Sequence, residues 1–112
     1  MKIVINVDYG GFSLSDKAVR LYLKKKGIDF TEKSLPTGTD FYINNKIFSN
    51  REIKRDDLTL IEVVEELGDT ASGKYADLKI IEIPDDVEWQ IEEYDGCEWI
   101  AEKHRTWGWG NE

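Results

Sequence analysis

Two runs of alternating apolar and polar residues, 87–94 and 97–105, flank the dipeptide Asp95-Gly96. An Asp-Gly pair so placed commits this stretch to a β-hairpin. Register then decides its chemistry, because a one-residue slip moves every side chain of a strand to the other face. A two-residue turn pairs Tyr94 with Cys97 and mixes polar and apolar residues on both faces. A type I turn with Gly96 in the left-handed bulge position instead pairs Glu93 with Cys97 and gathers Val87, Trp89, Ile91, Cys97, Trp99 and Ala101 on one face. The bulged register buries two tryptophans together and is the one expected. Glu88, Gln90, Glu92, Glu98, Ile100, Glu102 and His104 then form the opposite face.

Upstream, Ile3-Val4-Ile5-Asn6-Val7 is a β-branched run stopped by Asp8-Tyr9-Gly10-Gly11, which predicts a buried first strand and a glycine turn. A helix follows, capped by Ser13 or Ser15 and closed by Gly27, with Lys17, Arg20 and Lys24 in a basic stripe on its outer side. Residues 28–57 are irregular. A turn at Pro36-Thr37-Gly38-Thr39 precedes Phe41-Tyr42-Ile43, and Asn44-Asn45 turns that strand back into Lys46-Ile47-Phe48. Asp56 or Asp57 opens a second helix through Leu60, Ile61, Val63, Val64 and Leu67, which Gly68 ends, and Leu78–Ile83 is a strand stopped by Pro84. The expected fold is α+β: a mostly antiparallel sheet with two helices packed on one face and a C-terminal β-hairpin.

A chain of 112 residues has the size of one domain, so residues 1–112 are expected to form a single core. The composition, 40% hydrophobic and 12% aromatic, is that of a folded chain. No apolar run reaches the roughly 18 residues of a membrane span, and the N-terminus lacks signal-peptide character, so a cytoplasmic protein is expected. The net charge of −8 is divided unevenly: residues 1–55 hold eleven Lys/Arg against six Asp/Glu, or +5, which leaves −13 for the remainder. One face of such a surface attracts anions, and the other repels nucleic acid.

One Cys and one His cannot build a four-ligand zinc site, and a single Cys excludes an intrachain disulfide. Cys97 and His104 stand seven residues apart on one strand, about 23 Å, and odd spacing sends them to opposite faces. They form no nucleophile–base dyad. No G-x-S-x-G elbow surrounds a serine. Catalytic residues, metals and cofactors are therefore not expected, and binding is favoured over catalysis.

Two binding surfaces remain. Gly10-Gly11 lies between a strand and a helix, where backbone N–H groups can hold a phosphate. Tyr9 and Phe12 flank it as candidate base-stacking residues, Arg51, Lys54 and Arg55 can add charge, and Asn6, Ser13, His104 and Arg105 complete the ligand-binding set. Glu88, Glu92, Glu98 and Glu102 form an acidic face suited to a basic partner or to mimicry of nucleic acid. Trp107 and Trp109, in the glycine-rich Thr106–Gly110 stretch, need cover from this chain or a second subunit, which favours a homo-oligomer.

The segments Lys2–Asn6 and Tyr9–Ser15, then Glu62–Gly68, Ala71, Gly73, Ala76, Glu82–Trp89, Tyr94-Asp95-Gly96 and His104-Arg105, resemble a widespread family of small uncharacterised proteins of tailed phages and giant viruses. The resemblance covers roughly the first 15 and last 55 residues. It implies a viral accessory protein acting in a host cytoplasm, of a kind that counters host defence by sequestering nucleotide signals or binding a defence protein. It carries no catalytic residues. The expected function is sequestration of a small anionic nucleotide-type ligand without catalysis. The alternatives are an acidic inhibitor of a host defence protein and, third, a nucleotide-cleaving enzyme.

Overall fold

The computed structural model of the chain describes residues 1–103. It is α+β, with two helices and seven strands, every strand pairing antiparallel. The apolar run at the N-terminus forms β1 (Lys2–Asn6), buried from Ile3 onward, and pairs with β5 (Leu78–Glu82). The other edge of β1 is closed by Val4, whose N–H donates to the Arg55 carbonyl at 2.8 Å. This contact keeps β1 from ending the sheet as an open edge.

Helix α1 (Asp16–Lys25) begins where the Ser15 hydroxyl accepts from the Ala18 N–H, and helix α2 (Leu58–Leu67) begins where Asp57 accepts from the N–H groups of Thr59 and Leu60. Their apolar faces meet: Ala18, Val19, Tyr22 and Leu23 of α1 and Leu60, Ile61, Val63 and Val64 of α2 join Val4 and Leu78 in one core. Asp57 also ties the helices together, because the Tyr22 hydroxyl donates to it at 2.8 Å and Lys26 pairs with it at 3.3 Å. Burial, and then the hydrogen bond to Asp57, push the Tyr22 phenol above its ordinary range. At Asp57 burial opposes ionisation, but hydrogen bonds from Tyr22, Leu60, Lys26 and Thr59 outweigh it and hold the carboxyl below its ordinary value.

The antiparallel strands divide into three small sheets rather than joining in one. In the second, β3 (Gly38–Ile43) lies between β2 (Thr31–Leu35) and β4 (Lys46–Ile47). The Asn44-Asn45 turn is as expected, with φ of 50° and 66°, the two positive values of a type I′ hairpin. Strand β2 has no counterpart in the sequence reading. All five of its residues are exposed, so it carries no apolar alternation to betray it.

The third sheet is the hairpin of β6 (Trp89–Tyr94) and β7 (Cys97–Glu102), and its register corrects the expectation. Tyr94 pairs with Cys97, Glu93 with Glu98 and Glu92 with Trp99, across a two-residue turn in which Asp95 and Gly96 have φ of 52° and 90°. There is no bulge. Trp89, Ile91, Glu93, Glu98, Ile100 and Glu102 share one face, and Gln90, Glu92, Tyr94, Cys97, Trp99 and Ala101 share the other. The two tryptophans therefore lie on opposite faces and neither is buried: Trp89 is half-buried and Trp99 is exposed. What the register secures instead is Glu98, which turns towards β1 and meets Arg55.

Candidate functional site

The expected phosphate site at the start of α1 takes another form. Four residues separate Gly11 from Asp16, the first helical residue, and the Ser15 hydroxyl already occupies the helix N-terminus. Gly10 is covered by Tyr75, whose carbonyl oxygen lies 2.0 Å from where a Cβ on Gly10 would sit. Gly11 has a φ of +86°, and any side chain there strains the backbone.

Several other candidates serve the fold. Asn6 is fully buried, and its amide is used completely: Nδ2 donates to the carbonyls of Asp8 and Gly96, and Oδ1 accepts from the N–H groups of Asp8 and Asp77. Phe12 is buried with the Arg55 guanidinium 3.7 Å above its ring, which leaves that face closed to a nucleobase. Arg55 is committed to Glu98 through two hydrogen bonds, at 2.5 and 2.8 Å. Tyr9 is exposed. His104, Arg105, Trp107 and Trp109 lie outside the described residues.

The single acidic face does not form. Glu88 and Glu92 follow the alternation of one side of the hairpin, whereas Glu98 and Glu102 belong to the other, and Glu98 is neutralised by Arg55. The like-charged pair that exists, Glu93 opposite Glu98, is relieved by that same cation.

Ser13 leads to a site that the sequence did not disclose. A cleft of about 280 Å³ opens between the segment entering α1, strand β3 and the short 3-10 turn Asn50–Glu52. Its lining includes Ser13, Asp16, Asp40, Phe41, Phe48 and Arg51. The wall is fastened where the Asn50 side-chain oxygen accepts from the Leu14 N–H and where the Phe48 N–H donates to the Phe41 carbonyl. The Arg51 guanidinium reaches to 3.7 Å from where a Gly11 Cβ would stand, so it is the cation beside the glycine turn. Among the described residues Arg51, Asp16 and Asp40 enter no ion pair.

The cleft thus offers one free guanidinium, two free carboxylates and the half-buried ring of Phe48, whereas Phe41 is buried against Phe30 and Arg20 and the Ser13 hydroxyl lies against Gly73. The guanidinium can hold a phosphate through two donors, and the carboxylates can accept from sugar hydroxyls or base amino groups. Arg51 was legible as part of a basic cluster with Lys54 and Arg55. Asp40 and Phe48 gave no signal, because only the folding of β3 and β4 brings them to Ser13.

Compared with known proteins, the chain matches no family model, and neither curated proteins nor solved structures give a significant match. Among the described residues no helix is long and apolar enough to cross a membrane, and no group of three or more His, Cys, Asp or Glu side chains is arranged to hold a metal ion.

Proposed function

We propose that the chain is a non-catalytic protein that captures a small anionic nucleotide-type ligand in the cleft beside α1. The observation that carries this reading is the unpaired Arg51 guanidinium in a cleft that also holds Phe41, Phe48 and two unpaired carboxylates. Phosphate goes to Arg51. The sugar and base go to Asp16, Asp40 and the aromatic surface, an arrangement that favours a nucleotide over inorganic phosphate, since bare carboxylates repel an anion with no hydroxyl or amino group to offer them. At about 280 Å³ the cleft suits a ligand at the small end of the range for such sites, roughly 300 Å³ and upward.

The resemblance to phage and giant-virus proteins supports reading this activity as one of an infected host cytoplasm, where removal of a nucleotide immune signal would counter host defence. The reading as an acidic mimic is less favoured, because the glutamates it needs are divided between the two faces of the hairpin.

The test is incubation with a nucleotide panel, removal of unbound material, release by heating and mass analysis. The parent should release an intact nucleotide, and Arg51→Ala, a change at an exposed side chain, should release none. Retention of inorganic phosphate alone, an altered product, or equal retention by Arg51→Ala would each defeat the reading.

A further inference from the structure

The β6–β7 hairpin stands apart from the core. It forms its own two-stranded sheet, and not one of its residues is fully buried. On the face turned away from Arg55, Trp99 is 46% exposed and Tyr94 72% exposed, and Glu92 sits directly across the ladder from Trp99. A second groove, of about 370 Å³, runs between α1 and the end of α2. Leu21 and Leu67 give it apolar surface, and Lys17, Arg20, Lys24 and Glu66 edge it, with Glu66 paired to Lys25 at 3.7 Å. Arg20 is paired with Glu32, whereas Lys17 and Lys24 enter no ion pair among the described residues.

We propose that the outer face of the hairpin docks in the α1–α2 groove of a second copy of this chain, with Trp99 against Leu21 and Leu67 and Glu92 towards Lys17 and Lys24. Charge complementarity argues for this occupant. The chain carries +5 in residues 1–55, where most of the groove's edge lies, and −13 in the remainder, where the hairpin lies. An exposed indole flanked by a carboxylate matches an apolar floor with the Lys17 and Lys24 ammonium groups on its rim, where Lys25 takes up the charge of Glu66, and this is the pairing of buried anchor and charged rim found at protein interfaces. Each copy has one hairpin and one groove, so the contact is head-to-tail. It does not depend on the nucleotide cleft, whose lining shares no residue with the groove.

The experiment uses two variants of the full chain: Glu92→Lys with Trp99→Ala, which removes the plug, and Lys17→Glu with Lys24→Glu, which spoils the socket. All four changes are at exposed positions, and circular dichroism verifies the fold. Light scattering of the parent should rise above the 13.0 kDa monomer with concentration, and more weakly at high salt. Each variant alone should associate at least about tenfold more weakly, the loss expected of a central tryptophan anchor. Mixed together they should form a 1:1 dimer that grows no further, because one intact plug meets one intact socket. A parent that stays monomeric, a variant that by itself associates as tightly as the parent, or a mixture that fails to pair would overturn the proposal. So would association that survives both variants and vanishes on removal of residues 104–112.

Discussion

Glu98 receives the Arg55 guanidinium end-on, Nη1 to Oε1 and Nη2 to Oε2, while its Oε1 also accepts the Asn6 N–H at 2.8 Å. Both side chains are largely withdrawn from water, at 18% and 9% exposure. Three segments distant in sequence meet here: β1, the turn before α2, and the hairpin. A two-stranded hairpin is marginally stable in water by itself, so this junction is what fixes it to the body.

Removing either partner strands a charge away from solvent. Glu98→Ala and Arg55→Ala are each expected to cost at least about 2 kcal/mol, the scale of a lost hydrogen bond to a charged group. Chemical denaturation should show the double variant losing much less than the sum of the two. Additive losses would mean that the two side chains act independently.

The hairpin turn has its own constraint. A Cβ on Gly96 would stand 2.6 Å from the Tyr9 carbonyl oxygen and 2.7 Å from the Gly11 nitrogen, and the residue has a φ of +90°. Gly96→Ala therefore combines backbone strain with a clash against main chain, at a cost of about 2 kcal/mol or more. Asp95→Asn, at a φ of 52° where asparagine is well suited, should leave thermal stability unchanged or slightly raised.

The Tyr22–Asp57 contact makes stability depend on pH at both extremes. Asp57 is held below its ordinary value, so its contribution is complete above the unfolded carboxyl's pKa of about 3.9 and is lost as pH falls through the lower folded value. Tyr22 is raised, so its contribution is complete below about pH 10 and is lost as pH climbs through the higher folded value. Tyr22→Phe should cost about 1.5 kcal/mol at neutral pH and remove this alkaline loss, read from denaturation midpoints across pH. Asp57→Ala should cost about 2 kcal/mol or more, because the cap of α2 is lost as well.

Charge reversal on the hairpin separates the two binding readings. Glu92→Lys should leave nucleotide retention by the parent cleft unchanged, since Glu92 is not among the residues of that cleft. Ligand release followed by mass analysis checks this, and a loss comparable to that of Arg51→Ala would tie the ligand to the hairpin instead.

Elements that local forces specify were legible along the chain. The caps narrow to Ser13 or Ser15 and to Asp56 or Asp57, of which Ser15 and Asp57 serve, the apolar spacing of α1 and α2 marks the sides that pack together, and Asn44-Asn45 makes a tight turn because asparagine tolerates positive φ. Each of these signals lies within a few residues of what it controls. The hairpin register is of another kind. Asp95-Gly96 permits a bulged or a two-residue turn, and the pleasing burial of Trp89 with Trp99 argued for the bulge. The tertiary structure chose the other because it brings Glu98 to Arg55, 43 residues away in sequence, and lets the Gly96 carbonyl accept from the Asn6 amide, 90 residues away. The cleft followed the same rule, since Ser13, Asp40 and Arg51 become neighbours only after β3 and the turn at Asn50–Glu52 fold back on the start of α1. Charge pairing and cavity shape depend on distances between remote segments, and alternation along a strand carries no information about those distances.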